Sequence, residues 1–202
     1  MRIPLPKLRE LKEAVRALVR GPYTSKFPAA PAQVAPAFRG FPNYDKDKCV
    51  GCAACYIVCP PRAIDLVDDP DARRRTLTLC LDRCITCGQC QANCITKEGI
   101  RLGHEYDLTT TNRADLQQRR VEKDLVVCEA CDEIVGAREH LVWVARRLGP
   151  LAFSNPTLFL VSIHQIPAAA PEPGAEFDAG LKRGDKLRIL CPRCRQEVSF
   201  LA

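Results

Sequence analysis

One cysteine spacing occurs twice in this chain. The first copy is Cys49, Cys52, Cys55 and Cys59, and the second is Cys84, Cys87, Cys90 and Cys94. Each copy reads C-x2-C-x2-C-x3-C, a spacing that supplies thiolates to [4Fe–4S] clusters. A single copy is compatible with another metal such as zinc, but two copies in tandem strongly favour iron–sulfur clusters. The sequence therefore predicts two [4Fe–4S] clusters and one-electron chemistry.

The two copies are expected to share ligands, because in two-cluster proteins the last cysteine of each run binds the other cluster. We therefore predict that cluster one is held by Cys49, Cys52, Cys55 and Cys94. Cluster two is then held by Cys84, Cys87, Cys90 and Cys59. This crossing keeps the clusters close together. Apolar residues beside the cysteines are expected to wall the clusters from water: Val50, Ile57, Ile64, Ile85, Ile95 and Ile100.

Four further cysteines form two C-x2-C knuckles: Cys128, Cys131, Cys191 and Cys194. Four thiolates in two knuckles are typical of structural zinc, and they leave no open position for catalysis. A single iron of the rubredoxin type and a metal-free site are the alternatives. The remaining cysteine, Cys80, is predicted to be a small buried thiol beside a cluster.

The formal charge of +6 would suit a nucleic-acid partner, but it counts every cysteine as neutral. Metal-bound cysteines are thiolates, and each four-thiolate site with its metal is near −2. Three such sites bring the loaded protein to about neutral, so no nucleic-acid partner is expected. The charged N-terminus lacks a signal peptide, and metal-ligand cysteines favour a reducing compartment. These features predict a cytoplasmic protein.

The sequence predicts an α+β fold in three parts. Residues 1–42 comprise an amphipathic helix, predicted over 7–20, and a proline-rich extended arm. Residues 43–110 form a two-cluster domain with an internal repeat at an offset of 35, in which short strands at 63–66 and 99–102 follow the cysteine runs. The charged connector 67–79 is predicted to be a solvated hairpin tip.

The third part, residues 111–202, is predicted to be a helical region that carries the zinc knuckles. Its predicted helices cover 112–125 and 138–148, with a Pro- and Ala-rich loop at 167–174. A strand is predicted over 186–190, leading into the second knuckle.

The segment from Phe38 to Cys52 resembles the two-cluster ferredoxin-like subunits of complex I and its hydrogenase relatives. The segment from Glu105 to Leu116, followed by paired knuckles, resembles the iron–sulfur subunit of formate hydrogenlyase and other membrane-bound [NiFe]-hydrogenases. The resemblance implies a bacterial ferredoxin-like fold and a non-catalytic subunit that passes electrons singly. It also implies a peripheral position on the inner face of the cell membrane.

The same resemblance implies the partners. They would be hydrogenase or complex I-like small and large subunits, an electron-input iron–sulfur protein, and a membrane arm reached through the N-terminal helix. The main hypothesis is an electron-transfer subunit of a hydrogenase-type complex. The alternatives are a complex I-like dehydrogenase subunit that delivers electrons towards quinone, and a zinc-ribbon nucleic-acid binder or iron–sulfur regulator.

Overall fold

The computed structural model describes residues 7–21, 24, 26–163 and 188–200, the side chains of 198–200 excepted. Two compact units divide the chain, Met1–Phe38 and Arg39–Ala202. In the first unit, helix α1 spans Leu8–Arg20, as its apolar spacing predicted. The backbone N–H of Lys7 donates to Glu10 Oε2 (3.0 Å) and caps its first turn. Five apolar residues of this helix are exposed: Leu8, Leu11, Val15, Leu18 and Val19.

The sequence repeat is visible as a structural repeat in the second unit. Helices α2 (Ala54–Ile57) and α3 (Gln89–Ala92) lie 35 residues apart, which is the predicted offset. Strand β1 (Pro42–Tyr44) pairs antiparallel with β4 (Ile100–Leu102). Strand β2 (Ile64–Asp69) pairs antiparallel with β3 (Arg74–Leu79). The domain therefore has the predicted mixture of short strands and helices arranged as two related halves.

The connector 67–79 is mostly sheet, and the prediction of a solvated hairpin tip is wrong for all but its turn. Leu77 and Leu79 on β3 are buried; Asp65, Asp69 and Arg74 are exposed, while Asp68 and Arg75 are partly buried. Only the residues between Asp69 and Arg74 form the turn. The prediction rested on the many charged residues of the segment. It overlooked the alternation of leucines with polar residues, which is typical of a strand with one buried face.

The helix predicted over 112–125 is also wrong. A short 3-10 helix spans Arg113–Gln117, and strand β5 then spans Arg119–Val127. Alternate side chains of β5, at Val121, Lys123 and Leu125, are buried. Strand β5 pairs with β3 and with β6 (Ile134–Ala137), which gives a four-stranded sheet in the order β2-β3-β5-β6. The polar residues of this segment lie on the exposed face of a strand and not on a solvated helix.

The remaining elements are helical. Helix α4 spans Arg138–Leu148, as predicted, and a 3-10 helix (Gly149–Ser154) and α5 (Pro156–Ile163) follow. The loop predicted at 167–174 lies outside the described residues. Residues 188–190 are not a strand, contrary to the prediction, and α6 (Pro192–Phe200) follows them. No helix among the described residues is long and apolar enough to cross a bilayer.

Candidate iron–sulfur and metal centres

Two cavities in the two-cluster domain are each lined by four cysteines. Cys49, Cys52, Cys55 and Cys94 line the first cavity. Cys59, Cys84, Cys87 and Cys90 line the second. Each set combines three cysteines from one loop with one from the other motif. Cys55 lies on α2 with Cys59 one turn beyond it, and Cys90 and Cys94 are related to α3 in the same way. Each short helix, together with the cysteine two residues beyond its end, thus supplies one thiol to each cavity.

The walls of both cavities are apolar. Val50, Leu77, Ile95 and Ile100 line the first cavity. Ile64, Leu79, Ile85 and Leu102 line the second. Ile57 was predicted as a wall residue, but its side chain is 77% exposed and lines neither cavity. Ile85 lines the second cavity while 63% exposed, so the wall of that cavity reaches the protein surface there.

Hydrogen-bond donors point at sulfur in both cavities. The Ala63 backbone N–H donates to Cys59 Sγ (3.2 Å), and the Thr86 N–H donates to Cys84 Sγ (3.4 Å). In the first cavity, the Thr96 hydroxyl lies 3.3 Å from Cys94 Sγ, and the Tyr44 hydroxyl lies 3.6 Å from Cys55 Sγ. Thiolate sulfur accepts such bonds, so four convergent thiols with donors fit a [4Fe–4S] cluster in each cavity.

Burial controls the protonation of several of these thiols. It raises the pKa of Cys49, raises that of Cys55 to about 12 and raises that of Cys90 to about 11. At Cys94 burial acts in the same direction, but hydrogen bonds from Thr96, Gly99 and Ile100 outweigh it and lower the pKa. Metal binding must therefore displace protons from most of these thiols, because only thiolates bind iron. Burial also raises the pKa of Tyr44 well above its usual range, so its hydroxyl stays protonated and remains a donor.

The second unit brings together the four knuckle cysteines as well. The sulfur atoms of Cys128, Cys131, Cys191 and Cys194 lie within 4.8 Å of one another. Cys131 Sγ and Cys191 Sγ are 3.7 Å apart. Four sulfurs at about 2.3 Å from a tetrahedral zinc ion lie about 3.8 Å apart. Burial acts to raise the pKa of Cys128, but backbone hydrogen bonds from Cys191 and from its own knuckle outweigh it and lower that pKa to about 6. The donor set therefore fits a four-coordinate metal ion.

Comparison with known proteins identifies the domain that contains the two cavities. The family described as 4Fe-4S dicluster domain matches residues 48–97. Formate hydrogenlyase subunit 6 of Escherichia coli (strain K12) is 35% identical over 127 residues, which cover 62% of this chain and 69% of that protein. The chain belongs to the family of formate hydrogenlyase subunit 6. It is an iron–sulfur protein of the electron-transfer class, as the sequence predicted, and it carries a 4Fe-4S dicluster domain.

Other matches are partial. NAD(P)H-quinone oxidoreductase subunit I of Gloeobacter violaceus is 28% identical, and the match covers 48% of each chain. A chain in the structure of the membrane-bound sulfane sulfur reductase, described as an archaeal respiratory membrane complex, is 30% identical with a TM-score of 0.40. That match covers 55% of this chain and 60% of the other.

Two cations support the first cluster-binding loop in this member of the formate hydrogenlyase subunit 6 family, and sequence reasoning missed both. Arg75 forms a two-pronged pair with Asp68 (2.7 Å each) and donates to the Gly51 carbonyl oxygen (2.8 Å). Lys123 is only 8% exposed, and its Nζ donates to the Lys46 carbonyl oxygen (2.7 Å) and to Glu139 (2.6 Å). These residues reach the loop through contacts between distant parts of the chain, so no local sequence motif predicts their role.

The knuckles are joined by contacts that the sequence did not reveal. The Glu129 backbone N–H donates to the Ile189 carbonyl oxygen (2.9 Å), and the Glu129 side chain accepts from the Ile189 N–H (3.2 Å) and from Arg188 (3.3 Å). The buried Thr157 hydroxyl of α5 donates to the Leu190 carbonyl oxygen (3.0 Å). These bonds hold the chain just before Cys191 against the first knuckle.

Cys80 is fully buried, as predicted for the odd cysteine. Its Sγ donates to Asp65 Oδ2 (3.1 Å), and Arg83 donates to the same carboxylate oxygen (2.6 Å). Cys80 is not among the residues that line either cysteine cavity. Its thiol is therefore hydrogen-bonded to Asp65 of β2 and is not part of either cavity wall, contrary to its predicted position beside a cluster.

Proposed function

We propose that this chain relays single electrons through two [4Fe–4S] clusters within a membrane-associated hydrogenase-type complex. Cluster one is held by Cys49, Cys52, Cys55 and Cys94. Cluster two is held by Cys84, Cys87, Cys90 and Cys59. The observation that carries the proposal is the crossed arrangement of these thiols around two apolar cavities. The bound clusters supply one-electron redox chemistry, which no side chain of this chain provides alone.

The chain contributes distance, shielding and hydrogen bonds. Because Cys55 on α2 and Cys59 just beyond its end would bind different clusters, and Cys90 and Cys94 are related to α3 in the same way, the two centres are close neighbours. The apolar walls limit the contact of the sulfurs with water, less completely in the second cavity, and the N–H and O–H donors stabilise thiolate charge. A short separation between largely apolar walls suits rapid electron exchange between the two centres.

The C-terminal cysteines are proposed to hold one structural zinc ion. Three of the four are buried, and four thiolates complete the tetrahedron without an open position. The site therefore stabilises the region around α4, α5 and α6 and takes no part in the redox steps. Metal analysis distinguishes this proposal from a single iron, which would give rubredoxin-like optical bands, and from a metal-free site.

The hydrogenase-type complex is favoured over a complex I-like one by the extent of the matches. The match to formate hydrogenlyase subunit 6 spans 69% of that protein, whereas the match to the quinone oxidoreductase subunit spans 48%. The proposed partners are the small and large subunits of such a complex, an electron-input iron–sulfur protein, and a membrane arm that α1 contacts through its exposed apolar face. We place the chain on the cytoplasmic face of the cell membrane.

The crossed ligand assignment is tested by four single Cys→Ser variants, compared by low-temperature EPR after anaerobic reduction. Cys94→Ser should perturb the same cluster signal as Cys52→Ser. Cys59→Ser should perturb the same signal as Cys87→Ser. An uncrossed arrangement would instead pair Cys59 with Cys52 and Cys94 with Cys87. That result would overturn the assignment of ligands while leaving two clusters in place.

The choice of complex is tested by purifying tagged full-length chain from membranes of its own host. Co-purification of a nickel-containing subunit, with hydrogen evolution from a reduced dye, is expected. Quinone reduction by a nickel-free complex would replace the main proposal with the complex I-like alternative. Recovery of the chain with nucleic acid and no redox partner would overturn both.

A further inference from the structure

The two cysteine cavities differ in their exposure to water. Three cysteines of the first set are buried, namely Cys49, Cys55 and Cys94, whereas all four cysteines of the second set are only partly buried. Burial disfavours the added negative charge of a reduced cluster and so lowers its reduction potential. If nothing compensated, a cluster in the first cavity would be the harder one to reduce.

Among the described residues, the buried cation Lys123 packs on the first cysteine loop. The Cβ and Cγ atoms of Lys123 lie 3.0 Å from the position that a Cβ on Gly51 would occupy, so the lysine stem packs directly on the first loop. Its ammonium group is held in place by the Lys46 carbonyl oxygen and by Glu139, whose side chain is 44% exposed. The lysine charge also acts to lower the pKa of Cys49, which places its field at the cluster ligands.

The first cavity also has two hydroxyl donors that the repeat does not reproduce. The Thr96 hydroxyl accepts from the Gly99 N–H (3.0 Å), which leaves its own proton to point at Cys94 Sγ. The Tyr44 hydroxyl lies 3.6 Å from Cys55 Sγ, and it is the donor of this bond when Cys55 is a thiolate. An offset of 35 residues places Pro61 and Leu79 at the equivalent positions of the other half, and neither side chain has a donor.

The second loop has no matching buried charge among the contacts described for it. Arg39 donates to the Cys87 carbonyl oxygen at 3.4 Å, but Arg39 is exposed, so water and salt screen its charge. The donors to its sulfurs are backbone N–H groups of Ala63 and Thr86.

We infer that Lys123, together with the hydroxyls of Tyr44 and Thr96, raises the reduction potential of the first cluster and so compensates for its deeper burial. The inference rests on the proposed function, because it requires both clusters. When a one-electron donor reduces this cluster, one negative charge is added and no bond to a ligand is broken. The ammonium and the two O–H dipoles stabilise that charge, so electrons can occupy either cluster despite their unequal exposure to water.

The test is a redox titration of the anaerobic holoprotein, with each cluster followed by its EPR signal. In Lys123→Gln, the equilibrium constant for reducing the first cluster should fall about tenfold, which is about 59 mV for a one-electron couple. The second cluster should not change. Lys123→Arg keeps the charge, so the reduction potential of its first cluster should stay close to that of the unmodified chain. Glu139→Gln removes the negative partner and should shift the first cluster in the opposite direction.

Arg120→Gln is the matched control, because it makes the same charge change on the exposed face of the same strand. If Lys123→Gln fails to fold, Tyr44→Phe supplies the test, since it removes one hydrogen-bond donor and keeps the ring. The equilibrium constant for reducing the first cluster should then fall several-fold, and that of the second cluster should not change. Equal shifts at both clusters, no shift in either variant, or an equal effect of Arg120→Gln would overturn the inference. Iron and sulfide counts on the same samples show separately whether two clusters are present.

Discussion

Replacing Gly51 with alanine is expected to loosen the first cluster-binding loop far more than the same replacement of Gly88 in the second. Both glycines have a left-handed backbone, with φ of +70° and +80°. Their surroundings differ. A Cβ on Gly51 would meet the Lys123 stem at 3.0 Å and the Ala137 Cβ at 3.1 Å, whereas a Cβ on Gly88 would meet only Leu102 at 3.5 Å.

The magnitude follows from two separable costs. Left-handed backbone costs an alanine about 1 kcal/mol, and this applies to both variants. Overpacking against fixed atoms costs a further 1–3 kcal/mol, roughly, and this applies to Gly51→Ala only. The difference of about 2 kcal/mol is roughly thirtyfold in an opening equilibrium. The repeat supports the comparison, because Ala53, which is related to Gly88 by the offset of 35, already has a φ of 63°.

The assay is the anaerobic rate of cluster loss to an iron chelator, followed by the visible absorbance of the clusters and by EPR. Gly51→Ala should lose its first cluster roughly thirtyfold faster than Gly88→Ala loses its second, each measured relative to the unmodified chain. Equal rates for the two variants would refute the argument that β5 and β6 press on the first loop. The position of the second loop that is related to Gly51 is Thr86, which has a φ of 51° and carries a side chain. A side chain is therefore accommodated at this position in the second loop.

Three further changes are expected to act locally. Thr157→Val removes the buried bond to the Leu190 carbonyl, and it should speed zinc release to a chelator while leaving the iron content unchanged. Cys131→Ser should abolish stoichiometric zinc, whereas Cys80→Ser should leave both iron and zinc at their normal levels; zinc retained by the first variant would refute the four-cysteine site. Asp68→Asn should destabilise the β2–β3 hairpin by about 1–3 kcal/mol, measured as a lower anaerobic melting temperature, because Arg75 loses its charged partner.

The parts of this protein that depend on local spacing could be predicted from the sequence. The cysteine runs, the offset of 35 and helix α1 all repeat or alternate within short stretches of chain, and the structure contains each of them. The two-cluster domain and its family could be predicted for the same reason, because few sites other than iron–sulfur clusters are built from four cysteines at these short fixed intervals.

The parts of the protein that depend on pairing between distant strands could not be predicted from the sequence. The charged exposed residues of the segment that forms β5 favour a helix, whereas its strand conformation comes from pairing with β3, 40 to 50 residues earlier. Nothing in the sequence distinguishes Lys123 from other charged residues. Strand pairing brings it within hydrogen-bond distance of the Lys46 carbonyl oxygen, although the two residues are 77 positions apart in the sequence. Thr157 likewise gains its role from the Leu190 carbonyl, which lies 33 residues away.

The most direct test of the central claim is metal and sulfide analysis with low-temperature EPR on the anaerobically purified, dithionite-reduced chain. We expect about eight irons, about eight sulfides and about one zinc per chain, with spin-coupled signals from two neighbouring clusters. Zinc in every cysteine site, with no sulfide in freshly prepared anaerobic protein, would contradict the electron-relay account.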